Sequence, residues 1–371
     1  MNLRETMNTN QTTNVSLAEN FTEVPSNVSS FPESDGNDSV YLSRAFLKTV
    51  FGSISLTGVV GNLLVILVIV RVKLLRTHTN FYILNQSCVD LLGSILLAGL
   101  YCSPSITHEG NLMGVALCKI WSSTYLLWAC FNASTLNLVF LTFERYMGVV
   151  HPVLHYNKFT VTKVKVMIAM VWTLPFAWLS YWAAVNTVID GGCYPLWPNE
   201  SAQKAIGVMA FLVSYLIPLF VMTFTYLKIF LVLRRQTKIH HTDEEGTGSQ
   251  SNNQSRIQKD IIRERAKRNV VKTLVIIFVT YVICWSPNQI EYFRFNMGAS
   301  VDLTSVWFKI TVIMAFCNVC VNPVIYSLKY QEFRDGLKKL FCKSSQQVQH
   351  LNIGVQEPVD LPAGPSRDTG I

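Results

Sequence analysis

Asp90 sits inside the apolar run Val89-Asp90-Leu91-Leu92, where an ionised carboxylate is too costly to stand without a polar cavity or a partner. Suitable amides lie far away in the chain. Asn62 follows Gly61, and Asn318 precedes Asn322-Pro323-Val324-Ile325-Tyr326. Four polar residues in three apolar segments point to one buried, hydrated site, whose natural chemistry is the handling of ions or protons. A second charged feature, Phe143-Glu144-Arg145-Tyr146, closes another apolar run; taken alone, Arg145 reads as a residue that snorkels to lipid headgroups. Bond-making chemistry has no equivalent. The chain holds no Gly-rich phosphate loop, no metal-spaced His or Cys cluster and no nucleophile elbow, and its seven histidines lie mostly near loops, so an enzyme is not expected.

The elements that must position these residues are helices in a membrane. A 371-residue chain that is 50% hydrophobic and 15% charged, with mean hydropathy +0.30, is too apolar for a soluble domain of that size. Its apolar residues fall into seven blocks long enough to cross about 30 Å of hydrocarbon. They run from Phe46 to Val72, Phe81 to Tyr101, Val115 to Phe143, Val164 to Val185, Ala205 to Leu233, Val270 to Tyr292 and Leu303 to Leu328. The expected fold is an all-α seven-transmembrane helix bundle over 45–329, with a short amphipathic helix over 330–342. A transporter is the rival from another class, but the chain shows no internal repeat with matching broken helices.

The net charge of +8 is placed for a membrane, not for nucleic acid. Lys and Arg gather after the first, third and seventh blocks and between the fifth and sixth, so the bias of cations toward the cytosol puts the N-terminus outside. The tail 1–44 is rich in Asn, Ser and Thr. Its N-x-[ST] sequons at Asn10, Asn14, Asn20, Asn27 and Asn37 predict a glycosylated, disordered extracellular segment, and Asn199 is a sixth acceptor on the same side. Two cysteines on that oxidising side, Cys118 and Cys193, are expected to form a disulfide, with Cys102 as the competing partner.

Taken in order, the motifs resemble those of the rhodopsin-like (class A) G-protein-coupled receptors from about Tyr41 to Cys342. They are Gly61-Asn62, Asp90, Glu144-Arg145-Tyr146, Trp172, Pro218 with Tyr226, Cys284-Trp285-Ser286-Pro287, and Asn322-Pro323-Val324-Ile325-Tyr326. The resemblance implies that Glu144, Arg145, Tyr146, Tyr226 and Tyr326 serve G-protein coupling. Pro218, Trp285, Pro287, Asn322 and Pro323 are then the activation switch. Asp90, Ser134, Asn318 and Asn322 resemble a pocket for an allosteric sodium ion, which an oxygen-rich cluster suits; no other cofactor is implied. A heterotrimeric G protein, arrestin, receptor kinases and the lipid bilayer are the implied partners, and the plasma membrane the implied location.

The sequence departs from the family in several places. Cys118 to Arg145 spans 27 positions, about two more than the family spacing, so extra residues sit above Ser134. Gln86 stands where leucine is usual, and Thr135 and Tyr281 add further polar groups to the core. No aspartate in the outer half of the third block offers a counter-ion to an amine, and no lysine in the seventh can bind retinal. Tyr125, Leu127, Trp128, Asn288, Gln289, Tyr292 and Trp307 are the candidate ligand residues. Their mixture suits a peptide, as in neuropeptide receptors of the galanin, somatostatin or allatostatin sort; the alternative is a lipid or other small non-peptide molecule.

After the seventh block Tyr330, Phe333, Leu337, Leu340 and Phe341 recur at helical spacing, with cations between them. Cys342 at the end is a candidate palmitoylation site, and 343–371 is expected to be a disordered cytoplasmic tail. Lys267 occupies the base of the sixth block where an acid would pair with Arg145. Measurable ligand-free signalling is therefore expected, and cells expressing the receptor should show a second-messenger level above that of untransfected controls.

Overall fold

The computed structural model describes residues 38–102, 108, 110–244, 251–302 and 305–341, with side chains described except at 38–44, 74, 236–244, 251–267 and 341. Hydrocarbon offers no partner to a backbone N–H or C=O, so each apolar block closes its hydrogen bonds within itself as a helix. Seven helices of spanning length result among the described residues: Ala45–Arg71, His78–Tyr101, Leu112–Val150, Val161–Val185, Glu200–Arg235, Arg268–Asn296 and Val306–Lys329. The fifth continues to Glu244 and the sixth begins at Ser251, so the basic ends of the loop between them are helical. Residues 245–250 lie outside the described residues. So do the sequons from Asn10 to Asn37, the tails 1–37 and 343–371 with their expected disorder, Cys342, and the side chain of Lys267; residues 38–44, expected in the disordered tail, instead belong to the first helix, Asp38–Arg71.

Side-chain caps, which hydropathy does not register, move two boundaries. Thr77 Oγ1 accepts the Asn80 N–H at 3.3 Å, starting the second helix at His78 instead of Phe81. Ser305 Oγ accepts the Phe308 N–H at 3.1 Å, starting the seventh at Val306 instead of Leu303. The predicted amphipathic helix is present over Gln331–Phe341 and tucks Phe333 against the bundle.

The third span is not one helix. A short helix Leu112–Leu117 passes into a π-turn at Cys118–Ser122, and the main helix Tyr125–Val150 begins after Thr124, whose φ of 60° is left-handed. Polar contacts hold this break. Ser123 Oγ donates to the Lys119 carbonyl at 2.6 Å and accepts the Tyr125 N–H at 3.2 Å, while the Trp182 indole donates to the Ser123 carbonyl at 2.6 Å. The surplus residues expected above Ser134 are accommodated in this stretch. In the fifth span a second π-turn, Leu212–Leu216, precedes Pro218, whose missing N–H loosens the ladder there.

The all-α expectation gains one exception, an antiparallel hairpin of β1 (Asn186–Ile189) and β2 (Gly192–Pro195). Asp190 and Gly191, at φ 49° and 80°, make the tight turn, because both central positions of such a turn need positive φ. Cys193 pairs in register with Val188 and bonds to Cys118, 75 positions earlier. Cys102, the competing candidate, is a free thiol.

At the centre the helices approach closely enough to exclude a side chain. Asn62 Nδ2 bridges the Gly58 and Val319 carbonyls, each at 2.8 Å, joining the first span to the seventh. A Cβ on Gly61 would stand 2.8 Å from Cβ of Pro323, a rigid ring that cannot swing aside. Gly61→Ala should therefore cost about 1–3 kcal/mol and lower the unfolding temperature of the purified protein by several degrees. Gly110→Ala, with nothing within 4 Å of the new atom, should leave that temperature unchanged.

Candidate ligand cavity and the polar core beneath it

At the disulfide end the bundle opens into a cavity of about 150 Å³. The hairpin supplies Cys193 and Pro195 to its wall, and the fourth span supplies Tyr181 and Trp182. Of the ligand residues expected from sequence, Trp128, Asn288, Gln289 and Tyr292 line it. Tyr125, Leu127 and Trp307 do not. The Tyr125 hydroxyl donates to the Phe176 carbonyl at 2.8 Å, Leu127 is fully buried in the core, and Trp307 is 55% exposed. For Tyr125 and Leu127 the cause is the break at Cys118–Thr124, which resets the phase of the helix below it.

Glu291, which is not among the candidate ligand residues expected from the sequence, is a buried wall residue. Its carboxylate accepts Arg294 Nη1 at 3.0 and 3.1 Å and Trp307 Nε1 at 3.0 Å. The spacing of Glu291 and Arg294, i to i+3, already carried this pairing. Asn132, another missed lining residue, is turned back onto the Trp128 carbonyl at 3.0 Å.

Below the cavity lies a layer of aromatic rings. Trp285 meets Phe131 edge-on at 5.7 Å and Trp128 at 6.2 Å, while Phe316 contacts Phe131, Trp128 and Tyr101 at 5.5, 6.0 and 5.4 Å. Trp128 therefore belongs both to the cavity wall and to the ring layer. Tyr281 carries the contact on from Trp285 at 6.3 Å, and Thr135 is turned onto its own helix through the Phe131 carbonyl at 3.1 Å.

The next layer surrounds Asp90, 1% exposed. Asn322 Nδ2 donates to its Oδ2 at 2.9 Å, and Gln86 Nε2 lies 3.1 Å from both carboxylate oxygens. The same Gln86 amide donates to Ser134 Oγ. Asn318 is buried, and its Nδ2 makes no hydrogen bond to protein. Asp90, Ser134 and Asn322 thus meet as expected, but around an amide nitrogen. This set of N–H donors does not fit a cation.

At the opposite end Glu144 is fully buried and accepts both Nε and Nη2 of Arg145. Two partners were not read from the sequence: Thr79 Oγ1 at 3.2 Å, and His155 Nε2 at 3.1 Å from the short helix Pro152–Lys158. Tyr226 and Tyr326 are not gathered on Arg145. The Tyr226 hydroxyl accepts Thr142 Oγ1 at 3.1 Å, and the Tyr326 ring faces Tyr330 and Phe333 at 6.3 and 6.5 Å. Tyr146 is turned aside, with its hydroxyl 3.4 Å from His151 Nε2. Just past the seventh span, the Tyr330 hydroxyl lies 2.8 Å from both Asn80 Oδ1 and Glu332 Oε2, and burial pushes this phenol well above its ordinary range. Arg145 is thus held by Glu144, which the helix that follows also contacts through His155. His155→Ala removes one partner of the buried carboxylate, worth about 1.5 kcal/mol or tenfold in an equilibrium. Ligand-free signalling per receptor at the cell surface should rise about three- to tenfold, while the exposed Asn157→Ala should leave it unchanged.

Comparison with known proteins agrees with this geometry. Residues 61–326 match the model of the 7 transmembrane receptor (rhodopsin family). The chain is 30% identical to trace amine-associated receptor 6 of Homo sapiens over 313 residues, covering 80% of this chain and 85% of that one. It is 28% identical to galanin receptor type 2 of Mus musculus over 297 residues, covering 78% and 74%, and 29% identical to trace amine-associated receptor 1 of Mus musculus over 327 residues, covering 81% and 92%. With its seven spans, its Asp90 core and its Glu144-Arg145-Tyr146 end in their places, the chain belongs to the rhodopsin family of seven-transmembrane, G-protein-coupled receptors.

Proposed function

We propose that this receptor binds an extracellular peptide in the cavity beneath the β1–β2 hairpin and activates a heterotrimeric G protein by outward movement of the sixth span about Pro287. The observation that carries the ligand class is the cavity wall. Among the described lining residues Glu291 is the one carboxylate, and Arg294 already pairs with it, leaving amides, hydroxyls, aromatic rings and a few aliphatic side chains. Such a surface suits the amides and aromatic side chains of a peptide better than a bare ammonium, which needs an unmatched buried counter-ion. The ring layer under Trp128 gives the ligand a contact with Trp285 and so with the hinge.

The reading places the N-terminus outside and the chain in the plasma membrane. It includes glycosylation at the tail sequons and at Asn199, whose Oδ1 caps the following helix by accepting the Ala202 N–H at 2.8 Å and leaves Nδ2 unused by that cap. Palmitoylation of Cys342, at the end of the amphipathic helix, is part of it, as are arrestin and kinase binding at the cytoplasmic side.

A second reading takes a small amine as ligand, with Glu291 released from Arg294 as its counter-ion. The names of the trace amine-associated relatives favour it. One experiment separates the two: a panel of peptides and biogenic amines on cells expressing the receptor, with cAMP and calcium read together. A peptide should respond, its half-maximal concentration rising about tenfold in Asn288→Ala or Gln289→Ala from lost buried hydrogen bonds. A response confined to amines and abolished by Glu291→Gln would establish the second reading. Arg145→Ala should end coupling for either ligand while binding persists, and full signalling by that variant would overturn the mechanism.

A further inference from the structure

Gln86 stands one helical turn before Asp90, so its side chain reaches the carboxylate along the same face of the second span. Its amide nitrogen lies 3.1 Å from each oxygen of Asp90 and within a short hydrogen bond of Ser134 Oγ. An amide nitrogen has two hydrogens: one is shared between the carboxylate oxygens and the other points at the serine. Three oxygens converge on it, as they would on a small cation. A hard cation needs those same oxygens at about 2.3–2.6 Å, and it cannot take them while partially positive N–H groups point at them. Asn322 adds a further N–H to Oδ2 at 2.9 Å.

The orientation of the Gln86 amide is fixed by its surroundings. The Trp172 indole, which can only donate, gives its N–H to Asn85 Oδ1 at 2.9 Å. Asn85 Nδ2 then donates to Asn137 Oδ1 at 2.9 Å. Asn137 Nδ2 donates to Gln86 Oε1 at 2.7 Å and to the Tyr82 carbonyl at 3.0 Å, and that carbonyl can only accept. The chain of amides therefore has a donor-only group at one end and a carboxylate at the other. Turning Gln86 over would set Oε1 against the carboxylate and Nε2 against the Asn137 N–H, two repulsions in place of two bonds. To admit an ion, Gln86 would have to withdraw from Asp90, Ser134 and Asn137 together. All four residues are buried, so water cannot make good the loss.

We propose that the side-chain amide of Gln86 is the permanent occupant of the Asp90 site, replacing the monovalent cation that the family resemblance implies, so that this receptor is insensitive to sodium and is held instead by an amide chain from Trp172 to Asp90. The chain joins the fourth, third and second spans, and Asn322 extends it to the seventh. Its integrity, not the ion concentration, sets the stability of this layer.

Full-length receptor in lipid nanodiscs tests this by its unfolding temperature in sodium chloride and in choline chloride at equal ionic strength. The native protein should unfold within about 1 °C of the same temperature in both salts. Gln86→Leu opens the carboxylate and should gain a sodium-specific rise of about 2–4 °C, which Asp90→Asn in the same chain removes. Gln86→Ala serves where the leucine variant does not express. A sodium-specific rise in the native receptor that Asp90→Asn abolishes would overturn the proposal. A Gln86 variant that folds but unfolds alike in both salts would equally show that Gln86 is not what excludes the ion.

Discussion

A carboxylate that is 1% exposed in the middle of an apolar bundle has to be met by donors, and in this receptor the other polar choices of the core follow from Asp90. Gln86 approaches along the same helix, Asn322 from the seventh span, and Ser134 from the third through the Gln86 amide. Once Gln86 donates to the carboxylate its oxygen needs a donor in turn, which Asn137 provides. Asn137 needs Asn85, and Asn85 accepts from Trp172. Each amide is satisfied only if the next is present, so the layer forms as a unit and ties four helices to one charge.

Above this layer the means of attachment changes from hydrogen bonds to ring contacts. The third, sixth and seventh spans meet through Phe131, Trp128, Trp285 and Phe316, in tilted and edge-on ring contacts that carry no hydrogen bonds. A layer of ring contacts thus separates the cavity from the hydrogen-bonded layer. Trp128, a wall residue of the cavity, touches Trp285 without sharing in the amide chain, and Pro287 interrupts the backbone ladder of the sixth span two positions further on.

At the far end Glu144 presents the same problem as Asp90, a fully buried carboxylate, but it is met by charge. Arg145 supplies two donors, and His155 and Thr79 complete the set. His155 is held in place by stacking on Phe159 at 5.0 Å, so the short helix after the third span becomes part of the restraint on Arg145. These contacts lie between the third span and its own continuation, while position 267, at the base of the sixth span, holds a lysine and not an acid.

The seven spans, the residues at the centre of the bundle and the amphipathic helix were legible in the sequence, because length, hydropathy and periodicity are local properties that lipid enforces directly. The Asp190-Gly191 turn and the Glu291–Arg294 spacing were equally local signals, and they mark a hairpin and an ion pair that hydropathy passes over. The tertiary structure alone decided which side chains meet. Tyr125 and Leu127 turn away from the cavity because a π-turn and one left-handed threonine rephase the third helix. His155 reaches Glu144 because eleven residues of chain fold back on themselves. Gln86 was visible as an unusual residue in the sequence, but its place at the carboxylate depends on Asn137, 51 positions away, accepting no other partner for its N–H than Gln86 and the Tyr82 carbonyl. Pairings of that range leave no periodic trace in a single sequence, since they are fixed by the rotation of each helix about its axis, and packing sets that rotation.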